Sequence, residues 1–230
     1  MKAAPAVSVV LPVRNGARYL AGALRSAAEQ TIPPAEMVVV NDRSTDASVA
    51  IAQQFESVRV IDNRGPAHAD ALNEGVAAAH GEMIAFLAAD DEWPASKLEV
   101  QLARLAARPR VDACVGLAEH FIDPGDEPPR GLRAELLEHA VPARLPESLL
   151  VPRSVFERVG PFRRECGTSF DFDWFLRASD LGIQIAVVPE VVLRKRLHSH
   201  AASQRSPTTH PGILRAVHES VARKRTAQPR

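Results

Sequence analysis

Short apolar runs alternate with amphipathic segments through the first half of the chain. Four runs have consecutive apolar, mostly β-branched residues, as the strands of a sheet covered on both faces do; they span 6–13, 36–42, 58–62 and 83–88. Apolar residues at helical spacing predict helices between them, over 17–30, 47–55 and 69–80. This alternation predicts an α/β fold with a central, mostly parallel sheet flanked by helices.

The second half of the chain is less regular and predicts a smaller region beside the sheet. We predict helices over 94–107, 154–160, 171–182 and 212–225, strands over 112–122 and 147–152, and two short strands within 183–198 that Pro189 separates. The segment 121–146 is predicted to be irregular.

The composition is that of a soluble globular protein. With 230 residues, of which 46% are hydrophobic and 24% charged, we expect one domain of ordinary size. Cys114 and Cys166 are not spaced as metal ligands, which favours a reducing compartment. The first apolar run is interrupted by Pro12 and is too short to span a bilayer, so we expect a cytoplasmic protein.

The overall charge gives no reason to expect nucleic acid as a partner, because 28 basic and 28 acidic residues cancel. The balance is uneven, however: residues 190–230 carry nine basic and two acidic side chains, a local charge of +7. Such a segment is either a solvated tail or attracted to phosphate or an anionic membrane surface. Peripheral membrane contact through the basic C-terminus therefore stays open.

Polar residues follow the predicted strands of the parallel part. Because ligands of such sheets bind beyond the carboxyl ends of the strands, we expect 12–15, 41–46, 63–65 and 88–91 to line one crevice. No GxGxxG or GxxxxGK[ST] pattern follows the first strand, so a dinucleotide enzyme and a phosphate-loop ATPase are not indicated. A nucleotidyltransferase is not favoured either, since that segment has a single glycine.

The candidate reactive groups of this crevice are four acids: Asp42, Asp46, Asp90 and Asp91. Grouped carboxylates raise each other's pKa unless a cation lies among them. A Mn²⁺ or Mg²⁺ ion, held by carboxylate and by substrate phosphates, stabilises a leaving diphosphate. The alternative for Asp90 and Asp91 is capping of the next helix, and position alone leaves the two interpretations about even.

Several segments, in order along the chain, resemble the glycosyltransferases of family 2, which have the GT-A fold. They are VSVVLPVRNGARYLAGALRSAAEQT (7–31), VVVNDRSTDAS (38–48), GEMIAFLAADDEWPASKLEVQLARL (81–105), SLLVPRSVFERVGPF (148–162), FDFDWFLRASDLG (170–182) and RLHSHAAS (196–203). Any one of these would be weak, but ordered motifs over this length are a strong signal.

The resemblance implies an enzyme of hexosyltransferase type that moves a sugar from a nucleoside-diphosphate sugar to an acceptor hydroxyl, with inversion and with Mn²⁺ or Mg²⁺. The implied domain spans 1–205, with a nucleotide-binding half at 7–110 and an acceptor-side half at 111–205, and a basic helix or tail follows at 206–230. The implied donor-binding residues are Pro12, Val13, Arg14, Asn15, Asn41, Asp42, Asn63, Asp90 and His198. The resemblance also makes Asp90 and His198 the metal ligands and Asp171 the general base.

The environment of Asp171 agrees with that role. Phe170, Phe172 and Trp174 surround it in sequence, and partial burial among them raises the pKa of a carboxyl and makes it a better base. The alternative is an N-cap of the helix, and Asp173, two residues later, points to a different side.

Near the C-terminus, residues of the extended segment RKRLHSH alternate in direction. Arg194, Arg196 and His198 share one face, which we expect to face the diphosphate, and His200 follows in the same alternation.

The chain departs from the family pattern at several positions. Ala88 replaces the first acid of the D-x-D motif, Asn41 replaces an acid of the nucleotide loop, and Phe170 replaces the acid that precedes Asp171. One hypothesis is an active enzyme with an altered donor pocket, and the other is a degenerate domain that binds a nucleotide or a partner without turnover. We favour activity, because Asp42, Asp90, Asp171 and His198 all remain; lipid-linked, peptide, small-molecule and saccharide acceptors stay open.

Overall fold

A single sheet organises the chain in the computed structural model, which describes residues 4–108, 110–129, 131–199 and 210–227. Its strands within that part are β1 (Val7–Val13), β2 (Glu36–Asn41), β3 (Val58–Asp62), β4 (Met83–Phe86), β5 (Ala113–Phe121), β6 (Val141–Pro142), β7 (Leu150–Pro152) and β8 (Ile185–Arg196). The order is β3-β2-β1-β4-β7-β5-β6, with β8 paired to β5.

The first four strands run parallel, as their apolar runs predict. β1 pairs with β2 on one side and with β4 on the other, and β3 continues the parallel part at one edge. β7 is antiparallel to both β4 and β5, and β8 runs parallel to β5. The predicted α/β class with a mostly parallel sheet is confirmed, and the carboxyl ends of β1, β2 and β4 meet at one edge.

Helices cover both faces of this sheet. They are α1 (Leu20–Ala28), α2 (Ser48–Ala52), α3 (His68–Ala78), α4 (Lys97–Ala107), α5 (Glu135–Glu138), α6 (Arg153–Val159), α7 (Phe170–Asp180) and α8 (His210–Ala227), with 3-10 helices at Pro146–Ser148 and Arg164–Ser169. Successive residues of β1 point to opposite faces: Val10 packs in the cluster of α3, α6 and α7, whereas Val9 and Leu11 pack in the cluster of α1 and α4.

Strand β8 differs from the sequence-based prediction of two short strands. It is one strand of 12 residues, and its pairing with β5 shifts register between Val187, which faces Val115, and Val191, which faces Leu117. Pro189 lies within this irregular stretch, where the ladder does not need the N–H that proline lacks. The residues around Pro189 therefore bend the strand without ending it.

The C-terminal helix α8 packs against α7 and the second 3-10 helix. Ala216 is fully buried in this contact, and the Ser220 hydroxyl donates a hydrogen bond of 2.8 Å to Asp180. Arg223 and Lys224 also pair with Asp180, so part of the positive charge of this segment is neutralised within the fold. No helix among the described residues combines the length and the apolarity that crossing a bilayer requires.

Candidate active site

The loops after β1 and β2 are tied to each other at the edge of the sheet. Asp46 accepts hydrogen bonds from the Ala17 N–H at 3.0 Å and from the Ser48 hydroxyl at 2.6 Å. Burial raises the pKa of Asp46, but these donors outweigh it and lower the pKa below its usual value. Asn15, at φ 52°, accepts at Oδ1 from the Thr45 N–H at 2.8 Å. Asp46 and Asn15 therefore shape the crevice through the loops that they hold together.

Asp42 lies on the wall of this crevice and is nearly buried. Its Oδ1 accepts hydrogen bonds from Asn63 Nδ2 at 2.8 Å and from the Arg43 guanidinium at 2.6 Å. The Arg14 guanidinium, largely exposed, stands 4.0 Å from Oδ2. Asn41, in contrast, donates to Asp62 and so turns toward β3. Of the residues expected at the nucleotide, Asp42, Asn63 and Arg14 are brought together.

Pro12 and Val13 contribute to this wall through their backbone. Both belong to β1 and are buried, and the Val13 carbonyl accepts a hydrogen bond of 2.8 Å from the Asp42 N–H. Their side chains are therefore part of the sheet interior, while the chain leaves the sheet at Arg14.

The two adjacent acids after β4 have different environments. Asp91 is 1% exposed, and it accepts hydrogen bonds from the Arg196 N–H at 2.9 Å and from Lys195 Nζ at 3.0 Å. Burial lowers the pKa of Lys195, but the charges of Asp91 and Glu147 outweigh it and raise that pKa above its usual value. The Asp90 side chain is 34% exposed and faces the crevice. Asp91 thus anchors the loop, and Asp90 is the more exposed of the two acids.

Neither acid caps the following helix. Helix α4 begins at Lys97, with Ser96 at the N-cap position, and no side chain there accepts a capping hydrogen bond. The capping alternative for Asp90 and Asp91 is therefore wrong.

His198 reaches Asp90 from the segment after β8. Its Nε2 lies 3.0 Å from Asp90 Oδ2, and its ring stands 4.9 Å from the ring of Tyr19. His198 is 7% exposed, and its Nδ1 has no hydrogen-bond partner within the described ranges. The partners therefore assign the proton of the neutral ring to Nε2, which donates to Asp90. His200 lies outside the described residues.

The arginines of β8, which we predict to face the diphosphate, form ion pairs within the protein. Arg194 pairs with Glu92 and Glu119, each at 2.8 Å. Arg196 pairs with Glu92 at 2.7 Å and with Asp123. Each guanidinium therefore has two carboxylate partners, and these ion pairs connect β8 to the loop after β4.

Arg196 also binds the backbone of Asp90, one of the two candidate metal ligands. Its Nε donates a hydrogen bond of 2.9 Å to the Asp90 carbonyl, and its guanidinium lies 4.8 Å from the Tyr19 ring and 4.5 Å from the Phe121 ring. This packing between two aromatic rings stabilises the cation and fixes the main chain of Asp90.

Asp171 is the second residue of α7 and not its N-cap, a position that Ser169 takes. Burial raises the pKa of its carboxyl to about 6; the hydrogen bond of 2.7 Å from the Phe172 N–H opposes this rise, and the charge of Glu147 adds to it. Asp173 is fully buried and pairs with Arg177 at 2.9 Å. Of these two acids, Asp171 is the more exposed, although it is itself partly buried.

His68, which begins α3 after β3, and Glu147, in the turn before β7, lie at the same end of the sheet, and no motif in the sequence marks them. The His68 ring, at the start of α3, lies 5.7 Å from the Phe170 ring. Desolvation by the surrounding protein lowers the pKa of His68, against the charges of Glu147, Asp42 and Asp90, which raise it. The start of α7, next to Phe170, therefore faces the same space as the ends of β2 and β4.

The residues present fit a divalent cation that a diphosphate helps to hold. Within the described part of the chain, no three His, Cys, Asp or Glu side chains form a complete ligand set. Mg²⁺ sites at substrate phosphates, however, use one or two carboxylates and complete their shell with phosphate oxygens and water. A cation held by Asp90 and His198 would replace the proton of their 3.0 Å contact, and the ring proton would then be on Nδ1.

Comparison with known proteins identifies the class. The family model described as glycosyl transferase family 2 matches residues 8–163, more than half of the chain, and the chain therefore belongs to this family. An uncharacterised glycosyltransferase of Rickettsia typhi is 29% identical over 209 residues, which cover 84% of this chain and 64% of the relative. A putative teichuronic acid biosynthesis glycosyltransferase of Bacillus subtilis, TuaG, is 37% identical over 111 residues, 45% of this chain and 43% of that one.

The fold has a solved counterpart. The structure of residues 1–349 of S. aureus TarS in complex with UDP-GlcNAc superposes with a TM-score of 0.76 at 17% identity, covering 98% of this chain and 68% of TarS 1–349. The predicted family and GT-A fold are thus confirmed. The chain spans less than two thirds of the length of the Rickettsia typhi relative.

Proposed function

We propose that this protein is an inverting glycosyltransferase that takes a nucleoside-diphosphate sugar and a divalent cation at the crevice and transfers the sugar to an acceptor hydroxyl. The observation that carries the proposal is Asp171, a partly buried carboxyl at the start of α7 with its pKa raised to about 6, together with Asp90 and His198, which meet at 3.0 Å. Residues 7–110 hold the donor in this proposal, and residues 111–205 contribute the acceptor side.

In this proposal, polar and charged side chains at the carboxyl ends of the strands bind the donor. Asp42 and Asn63 form the polar wall at which a nucleobase donates and accepts hydrogen bonds, and Arg14 supplies a cation nearby. Asp90 and His198 are the proposed ligands of Mn²⁺ or Mg²⁺, which would neutralise charge on the departing diphosphate. TarS, which shares the fold, has been solved with UDP and with UDP-GlcNAc, and this supports a nucleotide sugar as the donor class.

Asp171 performs the proton transfer. Its carboxylate takes the proton of the acceptor hydroxyl while that oxygen forms a bond to the anomeric carbon, and the bond from this carbon to the diphosphate oxygen breaks on the opposite face. A single displacement of this kind inverts the configuration. With a pKa of about 6, Asp171 is ionised at neutral pH yet more basic than an ordinary aspartate.

Calorimetry and donor hydrolysis test the proposal. We expect at least one of UDP, GDP, ADP and TDP to bind with Mn²⁺ dependence, and the matching sugar nucleotide to be hydrolysed slowly by the wild type and not by Asp171→Asn. Equal hydrolysis by both proteins would reject Asp171 as the base. Metal-dependent binding without any turnover would instead favour the degenerate, nucleotide-binding alternative.

A further inference from the structure

Glu147 lies in a short turn whose backbone carbonyls accept hydrogen bonds from buried side chains. The 3-10 helix Pro146–Ser148 receives a hydrogen bond of 3.2 Å from Trp93 Nε1 to the Glu147 carbonyl. The Ser148 carbonyl accepts from Gln101 at 2.8 Å and from the buried Lys97 at 3.3 Å. The backbone of Glu147 is therefore fixed by buried side chains, although the turn follows an irregular segment.

The carboxylate of Glu147 has no hydrogen-bond or ion-pair partner within the part of the chain that the structure describes. The other acids of the crevice do have one: Asp42 is bonded to Asn63 and Arg43, Asp90 to His198, and Asp91 to Lys195. Glu147 is half-buried, and a carboxylate in that position keeps unused acceptor capacity for a ligand.

Glu147 lies between the side of the crevice proposed for the diphosphate and the side that carries Asp171. Its turn precedes β7, which runs antiparallel to β4 with Leu150 opposite Ala85, and Trp93 of the loop after β4 donates to its carbonyl. Glu147 therefore lies at the end of β4 that leads into Asp90, and its charge also adds to the raised pKa of Asp171. The transferred sugar has to lie between these sides, since it is bonded to the diphosphate and attacked by the acceptor at Asp171. Ala88 and Ala89, which follow β4, carry only methyl groups, so the first polar side chains of that loop are those of Asp90 and Asp91.

We infer that Glu147 binds hydroxyl groups of the transferred sugar and thereby orients its anomeric carbon toward Asp171. This inference rests on the proposed glycosyltransferase function and adds a specificity-determining, positioning residue to it. A carboxylate has two oxygens, and each accepts a charge-assisted hydrogen bond from one of two neighbouring hydroxyl groups. Its negative charge also stabilises the positive charge that develops at the anomeric carbon in the transition state.

A merely structural role is the competing explanation. Glu147 adds to the negative charge around Lys195, but Asp91 already pairs with this ammonium at 3.0 Å. The turn itself is held through carbonyl groups of Glu147 and Ser148, which a side-chain substitution leaves in place. Removal of the carboxylate is therefore expected to leave the fold intact.

Two substitutions test the inference: Glu147→Ala, which removes the acceptor, and Glu147→Gln, which keeps the shape. Glu157→Ala, at an exposed position of α6, is the matched control. For the nucleotide that the wild type binds, we expect Glu147→Ala to keep its affinity for the nucleoside diphosphate. Its kcat/KM for hydrolysis of the sugar nucleotide is expected to fall about tenfold to a hundredfold, as loss of a charged hydrogen bond predicts.

The pH dependence separates this role from a structural one. Because the charge of Glu147 adds to the raised pKa of Asp171, its removal is expected to shift the acid limb of the kcat/KM profile to lower pH in both variants. Unchanged hydrolysis in Glu147→Ala, or equal loss of affinity for the free diphosphate and its sugar conjugate, would overturn the inference. If the wild type binds none of the nucleotides, the proposed function fails first, and this distinguishes the two failures.

Discussion

The Nε2 atom of His198 lies 3.0 Å from Oδ2 of Asp90, and this contact joins two positions that are 108 residues apart in the chain. The imidazole comes from the end of β8 and the carboxylate from the loop after β4, so the pair exists only in the folded sheet. Tyr19 packs against the His198 ring and fixes its orientation.

Substitution of Asp90 or His198 is expected to weaken the metal-dependent part of nucleotide binding. In calorimetric titrations with Mn²⁺, Asp90→Asn and His198→Ala should each lower the affinity for the nucleoside diphosphate about tenfold to a hundredfold. Binding without Mn²⁺ should change little. Glu138→Gln, on the exposed face of α5, serves as the control, and an equal loss with and without the metal would contradict the assignment.

The activity of the protein is expected to depend on the ionisation of Asp171. Its raised pKa of about 6 means that the carboxyl is protonated, and cannot accept a proton, below that pH. Donor kcat/KM should therefore rise with pH and reach a plateau above about 7. A profile that stays flat between pH 5 and 7 would show that another group accepts the proton.

Asp171 is also expected to lower the stability of the folded protein at neutral pH. Its pKa is about 6 when folded and about 3.9 when unfolded, so the folded state binds more protons between these values. The free energy of unfolding therefore falls as pH rises through this window. Asp171→Asn should be more stable than the wild type at pH 7, by on the order of 1–2 kcal/mol, and not at pH 4. Urea unfolding of both proteins at the two pH values measures the difference.

At higher pH, Lys97 should make the free energy of unfolding rise with pH, opposite to the effect of Asp171. It is fully buried, and burial lowers its pKa to about 7; among the described residues its hydrogen-bond partners are Gln101 and the Ser148 carbonyl. Above pH 7 the unfolded state binds more protons than the folded state, so the free energy of unfolding should rise by about 2 kcal/mol between pH 7 and 9. Lys97→Met should abolish most of this rise. An identical rise in the variant would show that the lowered pKa of Lys97 is not its cause.

The parallel part of the fold is predictable because its signals are local. The apolar runs of β1 to β4 and the helical spacing between them place each element within a few residues of its observed bounds. Pro189 misled the prediction of β8, because a register shift in the pairing with β5 accommodates it. Long-range pairing of this kind leaves no pattern in the neighbouring residues.

The candidate site is only partly predictable for the same reason. Asp90 and Asp91 are adjacent acids, and only the packing of β8 decides that Asp91 is buried and Asp90 accessible. The partners of Arg194 and Arg196 come from distant segments, so an apparently basic strand is largely neutralised. Glu147 follows no periodic pattern and comes to the crevice through tertiary contacts alone.

The hydrogen bonds that Asp91 accepts from Lys195 and Arg196 have a consequence for truncated forms of the protein. A fragment that stops before β8 keeps the parallel strands and the wall around Asp42. It lacks, however, three contacts of the loop of Asp90: the Arg196 side chain on the Asp90 carbonyl, the Lys195 ammonium on Asp91 and the His198 ring on the Asp90 carboxylate. Such a fragment would therefore separate the proposed nucleobase wall at Asp42 from the proposed cation ligands, which require the chain through His198.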